Sequence, residues 1–159
     1  MKTLVVYYSA EGHTRRIAEV IAEKLEADIY EIVPEPKYSA EDLDWTNEES
    51  RVSHEHADEA LREVALAGEA PVNWTGYDRV IIGYPIWYGI AAWPTNSFVK
   101  TVDFTGKIVV PFCVSHTSGL GDSDLLLKKD ANGGDWKEGF RFFQDASDGK
   151  VGEWCEGLE

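Results

Sequence analysis

A short polar run near the amino terminus has the composition of a phosphate-binding loop. It reads Ser9-Ala10-Glu11-Gly12-His13-Thr14 and lies between an apolar stretch at 3–8 and a helical pattern at 14–25. The first N–H groups of a helix can bind an anion, and a glycine lets the backbone turn tightly before them. Ser9 and Thr14 add hydroxyl donors. The run therefore predicts a phosphate site that differs from a lysine-containing P-loop and from the Gly-x-Gly-x-x-Gly fingerprint.

A second run, Tyr84-Pro85-Ile86-Trp87-Tyr88-Gly89, follows the predicted strand at 79–83. Its aromatic rings can stack on a planar ligand or meet it edge-on, and its glycine leaves a peptide group free to approach. The alternative is a plain hydrophobic strand end, in which Trp87 and Tyr88 pack on the following helix. A third run is small, polar and glycine-rich, and reads Ser115-His116-Thr117-Ser118-Gly119-Leu120-Gly121. It offers backbone donors for the heteroatom edge of a polar ring, although alone it would be an ordinary turn.

The elements that would position these runs alternate between strand and helix. Strands are predicted at 3–9, 28–33, 79–83, 107–113 and 139–143. Helices are predicted at 14–25, 94–102, 122–129 and 151–158, with a further helix around 57–67. This alternation predicts a parallel α/β sheet, and such sheets bind ligands beyond the carboxyl ends of their strands, near the point where strand order reverses. The three runs are therefore expected to form one site.

Composition limits the classes of partner. The chain has 159 residues and a formal net charge of −14, so we expect one domain over 1–159 and neither nucleic acid nor anionic membrane as partner. The strongly polar stretch at about 35–75 is predicted to be an insertion, with an irregular segment around Trp45. Absence of a leader, of a membrane-spanning run and of metal-type cysteine spacing predicts a cytoplasmic protein. His54 and His56 are expected at the surface rather than on a metal.

The three runs together resemble the flavodoxin-like proteins, and more closely the short bacterial flavodoxin family. The resemblance covers most of the chain, through about Gly121. It is carried by Tyr7-Tyr8-Ser9-Ala10-Glu11-Gly12-His13-Thr14, Asp42-Leu43-Asp44-Trp45, Gly83-Tyr84-Pro85-Ile86-Trp87-Tyr88-Gly89, Val110-Pro111-Phe112-Cys113 and Ser118-Gly119-Leu120-Gly121.

The resemblance implies a doubly wound five-stranded sheet in the order 2-1-3-4-5, helices on both of its faces, and bound FMN. It places Ser9, Glu11, Gly12, His13 and Thr14 around the phosphate. It places Pro85, Ile86, Trp87, Tyr88 and Gly89 on one side of the isoalloxazine ring, and Ser115, His116, Thr117, Ser118 and Gly119 at its pyrimidine edge or other face. The chain departs from the family pattern at Glu11 and His13, where small residues and asparagine are usual. We expect Glu11 to offer its backbone N–H and to turn its side chain toward solvent.

Two functions follow from a flavin site. One is low-potential electron transfer to a basic redox protein, which the negative charge favours. The other is an FMN reductase that takes hydride from NAD(P)H and reduces a small quinone-like substrate. Neither needs a catalytic acid or base from the protein, because the flavin carries the chemistry. A phosphoacceptor receiver domain is excluded, because the acidic residues it needs are replaced by Ser9-Ala10 and Tyr84-Pro85. A homodimer is left open.

Overall fold

A sheet of mainly parallel strands, with helices on both faces, is the framework of this protein in a computed structural model that describes residues 1–158. The strands are β1 (Thr3–Tyr7), β2 (Asp28–Glu31), β3 (Arg79–Trp87), β4 (Ile90–Ala91), β5 (Ile108–Ser115), β6 (Asp135–Trp136) and β7 (Phe140–Phe143). The α-helices are α1 (His13–Leu25), α2 (Arg51–Ala57), α3 (Trp93–Val99), α4 (Ser123–Asp130) and α5 (Asp148–Glu156). Short 3-10 helices span Glu59–Arg62 and Trp74–Gly76.

The order of the strands confirms the predicted topology. The parallel strands lie in the order β2-β1-β3-β5, and both β6 and β7 pair in parallel with β5 at the far edge. The expected order 2-1-3-4-5 is therefore present, with the fifth position shared by two short strands. Strand β2 lies on one side of β1, and the later strands β3 and β5 lie on the other side. The strand order therefore reverses between β1 and β3, where a ligand crevice is expected.

The apolar faces of the helices cover both sides of the sheet. All five residues of β1 are buried, as expected for a strand covered on both faces. On one face, α1 contributes a buried stripe of Ile17, Ala18, Ile21 and Ala22, and α5 packs beside it. On the other face, α3 and α4 contribute Phe98 and Leu127 to a second core. Within residues 1–158, none of the helices is long and apolar enough to cross a bilayer.

Strand β3 is longer than the sequence indicates. Its predicted end was Gly83, but pairing with β5 continues to Pro85, and the chain then forms a hairpin with β4 through the pairs Ile86–Ala91 and Trp87–Ile90. Tyr88 and Gly89 form the two-residue turn, with φ of 51° and 81°. Positive φ at both turn positions is typical of the type I′ turn that joins antiparallel strands. The second run is thus a β-hairpin rather than a loop.

The helix predicted around 57–67 is wrong in position. The structure has α2 at Arg51–Ala57, where the Ser50 side chain accepts a hydrogen bond from the Ser53 N–H and caps the helix. The 3-10 helix Glu59–Arg62 occupies only the middle of the predicted range, and the residues after it are extended. Ala67 N–H donates to the Val33 carbonyl, and Glu35 N–H donates to the Ala65 carbonyl. Backbone pairing between residues 33–35 and 65–67 is therefore preferred to continuation of a helix.

Candidate functional site

A cavity of about 470 Å³ lies beyond the carboxyl ends of β1, β3 and β5. Twelve of the fifteen residues predicted from the sequence line it: Ser9, Glu11, His13, Thr14, Pro85, Ile86, Trp87, Tyr88, Ser115, His116, Thr117 and Ser118. The other three, Gly12, Gly89 and Gly119, do not line it and lie within the same three segments. Six residues that were not predicted complete the lining: Ala10, Leu43, Trp45, Val52, Val114 and Gln144.

The first wall is the turn between β1 and α1. Gly12 stands at the amino-terminal cap of α1 with φ of 97°, and its N–H donates to Ser9 Oγ at 3.0 Å. Because Ser9 Oγ accepts this bond, its own hydrogen is available to donate to another group. The first N–H groups of α1 also have no acceptor inside the helix. Thr14 is only 2% exposed and still touches the cavity. This end of the cavity therefore collects neutral donors that suit a phosphate.

The two unusual residues of this turn face each other. The side chains of Glu11 and His13 are 69% and 46% exposed, and Glu11 Oε2 lies 4.0 Å from His13 Nε2. Among the lining residues, Glu11 is the only carboxylate and none is lysine or arginine. Arg16 does not line the cavity, and its Nη2 donates to the Ala146 carbonyl at 2.6 Å instead.

The hairpin of β3 and β4 forms an aromatic wall. Trp87 makes edge-on contacts with Tyr8, Tyr38 and Trp93, at centroid distances of 5.6, 5.1 and 4.9 Å. Tyr88 stacks on the His56 ring, with centroids 3.8 Å apart and planes 7° apart. The packing alternative therefore holds in part, because both rings contact Trp93 of the following helix. Both residues also line the cavity, and stacking on a planar ligand stays a prediction.

The third wall follows β5. Ser115 Oγ donates to the Ser118 carbonyl, which folds the loop back on the strand end. His116 Nδ1 lies 3.3 Å from Gln144 Nε2, so the segment after β7 holds the imidazole. A Cβ at Gly121, whose φ is 56°, would lie 3.3 Å from the Gly89 carbonyl oxygen. The loop after β5 and the hairpin after β3 are therefore in direct contact.

The polar segment between β2 and β3 supplies a fourth wall, which was not among the predicted site residues. Leu43, Trp45 and Val52 reach the cavity from this segment, and Trp45 is 71% exposed. The Asp42–Trp45 motif was a signal for Leu43 and Trp45, but the contact depends on how a long irregular segment folds back. Val52 carried no signal, because α2 was expected elsewhere.

Burial raises the pKa of three side chains that lie around the cavity. Burial raises the pKa of the Cys113 thiol to about 12, so this residue is a small apolar core residue at neutral pH. Burial also raises the pKa of Tyr8 and of Tyr38 above the usual range. Within residues 1–158, no three of histidine, cysteine, aspartate and glutamate cluster as metal ligands. His54 contacts Glu49 at 3.6 Å, and His56 stacks on Tyr88.

Comparisons with known proteins agree with this geometry. The profile of the family described as Flavodoxin matches residues 2–158. The fold is similar to a candidate flavoprotein from Bacteroides uniformis, at 38% identity over 98% of this chain and 97% of that one, with a TM-score of 0.89. A candidate flavoprotein from Bacteroides eggerthii is also 38% identical, over 99% and 97% of the chains, with a TM-score of 0.87. A Lactobacillus acidophilus flavoprotein, solved in complex with FMN, shares the fold at 21% identity over 96% and 97% of the chains, with a TM-score of 0.60. No curated protein sequence gives a significant match.

Proposed function

We propose, from the premise that this chain belongs to the flavodoxin family and has FMN as its cofactor, that it is an electron carrier working at low reduction potential. The observation that carries this proposal is the strong excess of negative charge. The net charge is −14, and the segment 35–75, from which Leu43, Trp45 and Val52 reach the cavity, includes eleven acidic and three basic residues. More than half of the excess negative charge therefore belongs to that segment.

The cavity fits the two ends of FMN. Bound FMN supplies the redox chemistry, while the protein binds and orients it and sets its electrostatic surroundings. The turn at 9–14 offers backbone and hydroxyl donors to a phosphate, without a lysine or arginine among the lining residues. Trp87 and Tyr88 on one side and Ser115–Ser118 on the other suit a planar ring with a polar edge.

Carboxylates near the ring disfavour added negative charge. At ~12 Å through a water-like medium, one carboxylate raises the free energy of placing a second negative charge by roughly 0.3 kcal/mol. The contributions of several carboxylates add, and salt reduces each of them. We therefore expect the potential for the last electron to lie below that of free FMN.

A spectroelectrochemical titration of the FMN-loaded protein tests this expectation. A last-electron potential near or above that of free FMN would contradict the proposal. The double variant Glu48→Gln, Glu49→Gln removes two exposed charges from the segment and should raise the potential slightly. That rise should shrink as salt is added, because the charges are exposed to solvent.

A basic redox protein is the partner that this surface suits. Trp45 and Tyr88 are 71% and 40% exposed at the cavity, and they offer apolar contact on a protein of net charge −14. Cytochrome c can serve as a basic probe in stopped-flow reduction by the loaded protein. The bimolecular rate should fall steeply between about 0.01 and 0.5 M salt. A rate independent of salt would argue against electrostatic docking. The cytoplasmic location stays a prediction.

An NAD(P)H-dependent FMN reductase acting on quinone-like substrates is the second candidate. It is favoured by the exposed Trp45 ring, which lines the cavity and could hold a flat substrate, and by His116 on the opposite wall. A steady-state assay with NADPH and a simple quinone separates the two candidates. Rapid turnover without a partner protein would support the reductase and contradict a dedicated carrier.

A further inference from the structure

A buried carboxylate lies behind the aromatic wall, outside the cavity itself. Glu55 on α2 is only 7% exposed. A buried charge is costly unless it is paired and hydrogen-bonded. Glu55 meets this requirement with side chains from three different elements, and two of those side chains touch Trp87.

One oxygen of Glu55 holds two rings at once. Glu55 Oε1 accepts hydrogen bonds from the Tyr38 hydroxyl at 2.6 Å and from Trp93 Nε1 at 2.9 Å. The rings of Tyr38 and Trp93 are two of the three that contact Trp87 edge-on. Because Trp87 lines the cavity, the Glu55 carboxylate is joined to the cavity wall through a single layer of side chains.

The other oxygen ties the carboxylate to its own helix and to the segment before it. Glu55 Oε2 accepts from Arg51 Nε at 3.0 Å, one helical turn away. The Arg51 guanidinium also lies 3.7 Å from the centre of the Tyr38 ring and donates to the Pro36 carbonyl at 2.8 Å. The ion pair therefore restrains Tyr38 by a hydrogen bond and by a cation–π contact.

Helix α2 has further contacts with the same wall. Its Val52 lines the cavity, and its His56 ring covers one face of Tyr88. We propose that Glu55 is a positioning residue that holds Trp87 against the FMN ring through Tyr38 and Trp93. Helix α2 is then part of the cofactor site. This inference rests on FMN binding and is independent of the electron-transfer role.

Substitutions at Glu55 test the proposal through the environment of the bound flavin. Glu55→Ala removes the acceptor for both rings, and we expect FMN to bind roughly tenfold more weakly. We also expect the flavin bands in visible circular dichroism to change, since they report on the ring's surroundings. Glu55→Gln keeps one oxygen that can accept from Tyr38 and Trp93, so it should restore most of the FMN affinity and the wild-type bands. It loses only the ion pair with Arg51, because an amide N–H group then faces the guanidinium.

Two controls separate positioning from general stability. Glu69→Gln removes an exposed charge from the same segment and should leave both readouts unchanged. Val109→Ala makes a cavity at the start of β5, where Val109 is fully buried and far from the strand's carboxyl end. It should lower the unfolding midpoint without changing the flavin spectrum.

Tyr38→Phe tests the positioning role of Glu55 if Glu55→Ala does not fold. It keeps the ring and removes only the hydrogen bond to Glu55, so the flavin bands should shift in the same direction. The proposal is overturned if folded Glu55 or Tyr38 variants bind FMN with wild-type affinity and wild-type spectra. It is also overturned if Val109→Ala reproduces their spectral change. Failure of the wild type to bind FMN would refute the cofactor itself, whereas a high measured potential would refute only the electron-carrier proposal.

Discussion

At the scale of single residues, small side chains shape the end of the cavity beside the turn at 9–14. Ser9 Oγ accepts the Gly12 N–H, and Gly12 adopts a φ of 97° that L-residues rarely adopt. These features could be predicted, because hydroxyl and glycine residues between a strand and a helix have a direct physical meaning. The pairing of Glu11 with His13 could not, because it depends on side-chain rotamers in a solvent-exposed turn.

Ser9→Ala should weaken the binding of FMN much more than that of riboflavin. The variant loses a hydroxyl donor to the phosphate, and a hydrogen bond to a charged group contributes ~1.5–3 kcal/mol, which is about tenfold or more in affinity. Fluorescence titrations of the apo-protein with both ligands measure the difference. Ser9→Thr keeps the hydroxyl and serves as the matched control. Equal losses for FMN and riboflavin would show that Ser9 does not serve the phosphate.

At the scale of elements, the strands of the sheet and the helices that cover it could be predicted. The path of the segment between β2 and β3 could not. Runs rich in valine and isoleucine indicated the strands, and the spacing of Ile17, Ala18, Ile21 and Ala22 indicated α1. The extension of β3 was missed because Gly83 and Pro85 usually interrupt strands. In this protein Gly83 is required inside the strand by its neighbour, since the Phe112 ring occupies the space above it.

Gly83→Ala should therefore destabilise the contact between β3 and β5. An added Cβ would lie 2.0 Å from Phe112 Cζ, so the buried ring would have to move. Overpacking of this kind costs about 1–3 kcal/mol. Urea unfolding of the apo-protein measures the loss. Gly76→Ala is the matched control, because nothing lies within 4 Å of its Cβ position. Equal stability of the two variants would mean that the core accommodates the methyl group.

At the scale of the whole molecule, the excess of negative charge acts on stability as well as on docking. The chain has 29 acidic and 15 basic side chains, so 14 acidic groups would be left over even if every basic group were paired. Like charges distributed over a compact surface repel one another, and unfolding relieves that repulsion. The composition predicts this property directly, whereas the contact of the acidic segment with the cavity, through Leu43, Trp45 and Val52, becomes clear only from the fold.

Salt should raise the melting temperature of the apo-protein. The Debye length falls from ~30 Å at 0.01 M to ~10 Å at 0.1 M, so repulsion between distant carboxylates is screened first. Thermal unfolding followed by far-UV circular dichroism in sodium chloride measures the change. Sodium chloride is preferred to sulfate, which strengthens apolar burial by a separate effect. A melting temperature that stays constant or falls over this range would show that charge repulsion is not a significant term.

The contact between Gly121 and the Gly89 carbonyl has a consequence for redesign of the cavity. The two loops meet with no side chain between them, and a Cβ at 121 would lie 3.3 Å from that oxygen. Any larger residue at 121 would push on the hairpin turn, and any shift of the turn would press on the loop. Changes in the two loops should therefore be non-additive in double-mutant cycles. Widening the cavity for a bulkier flavin analogue requires both loops to be rebuilt together.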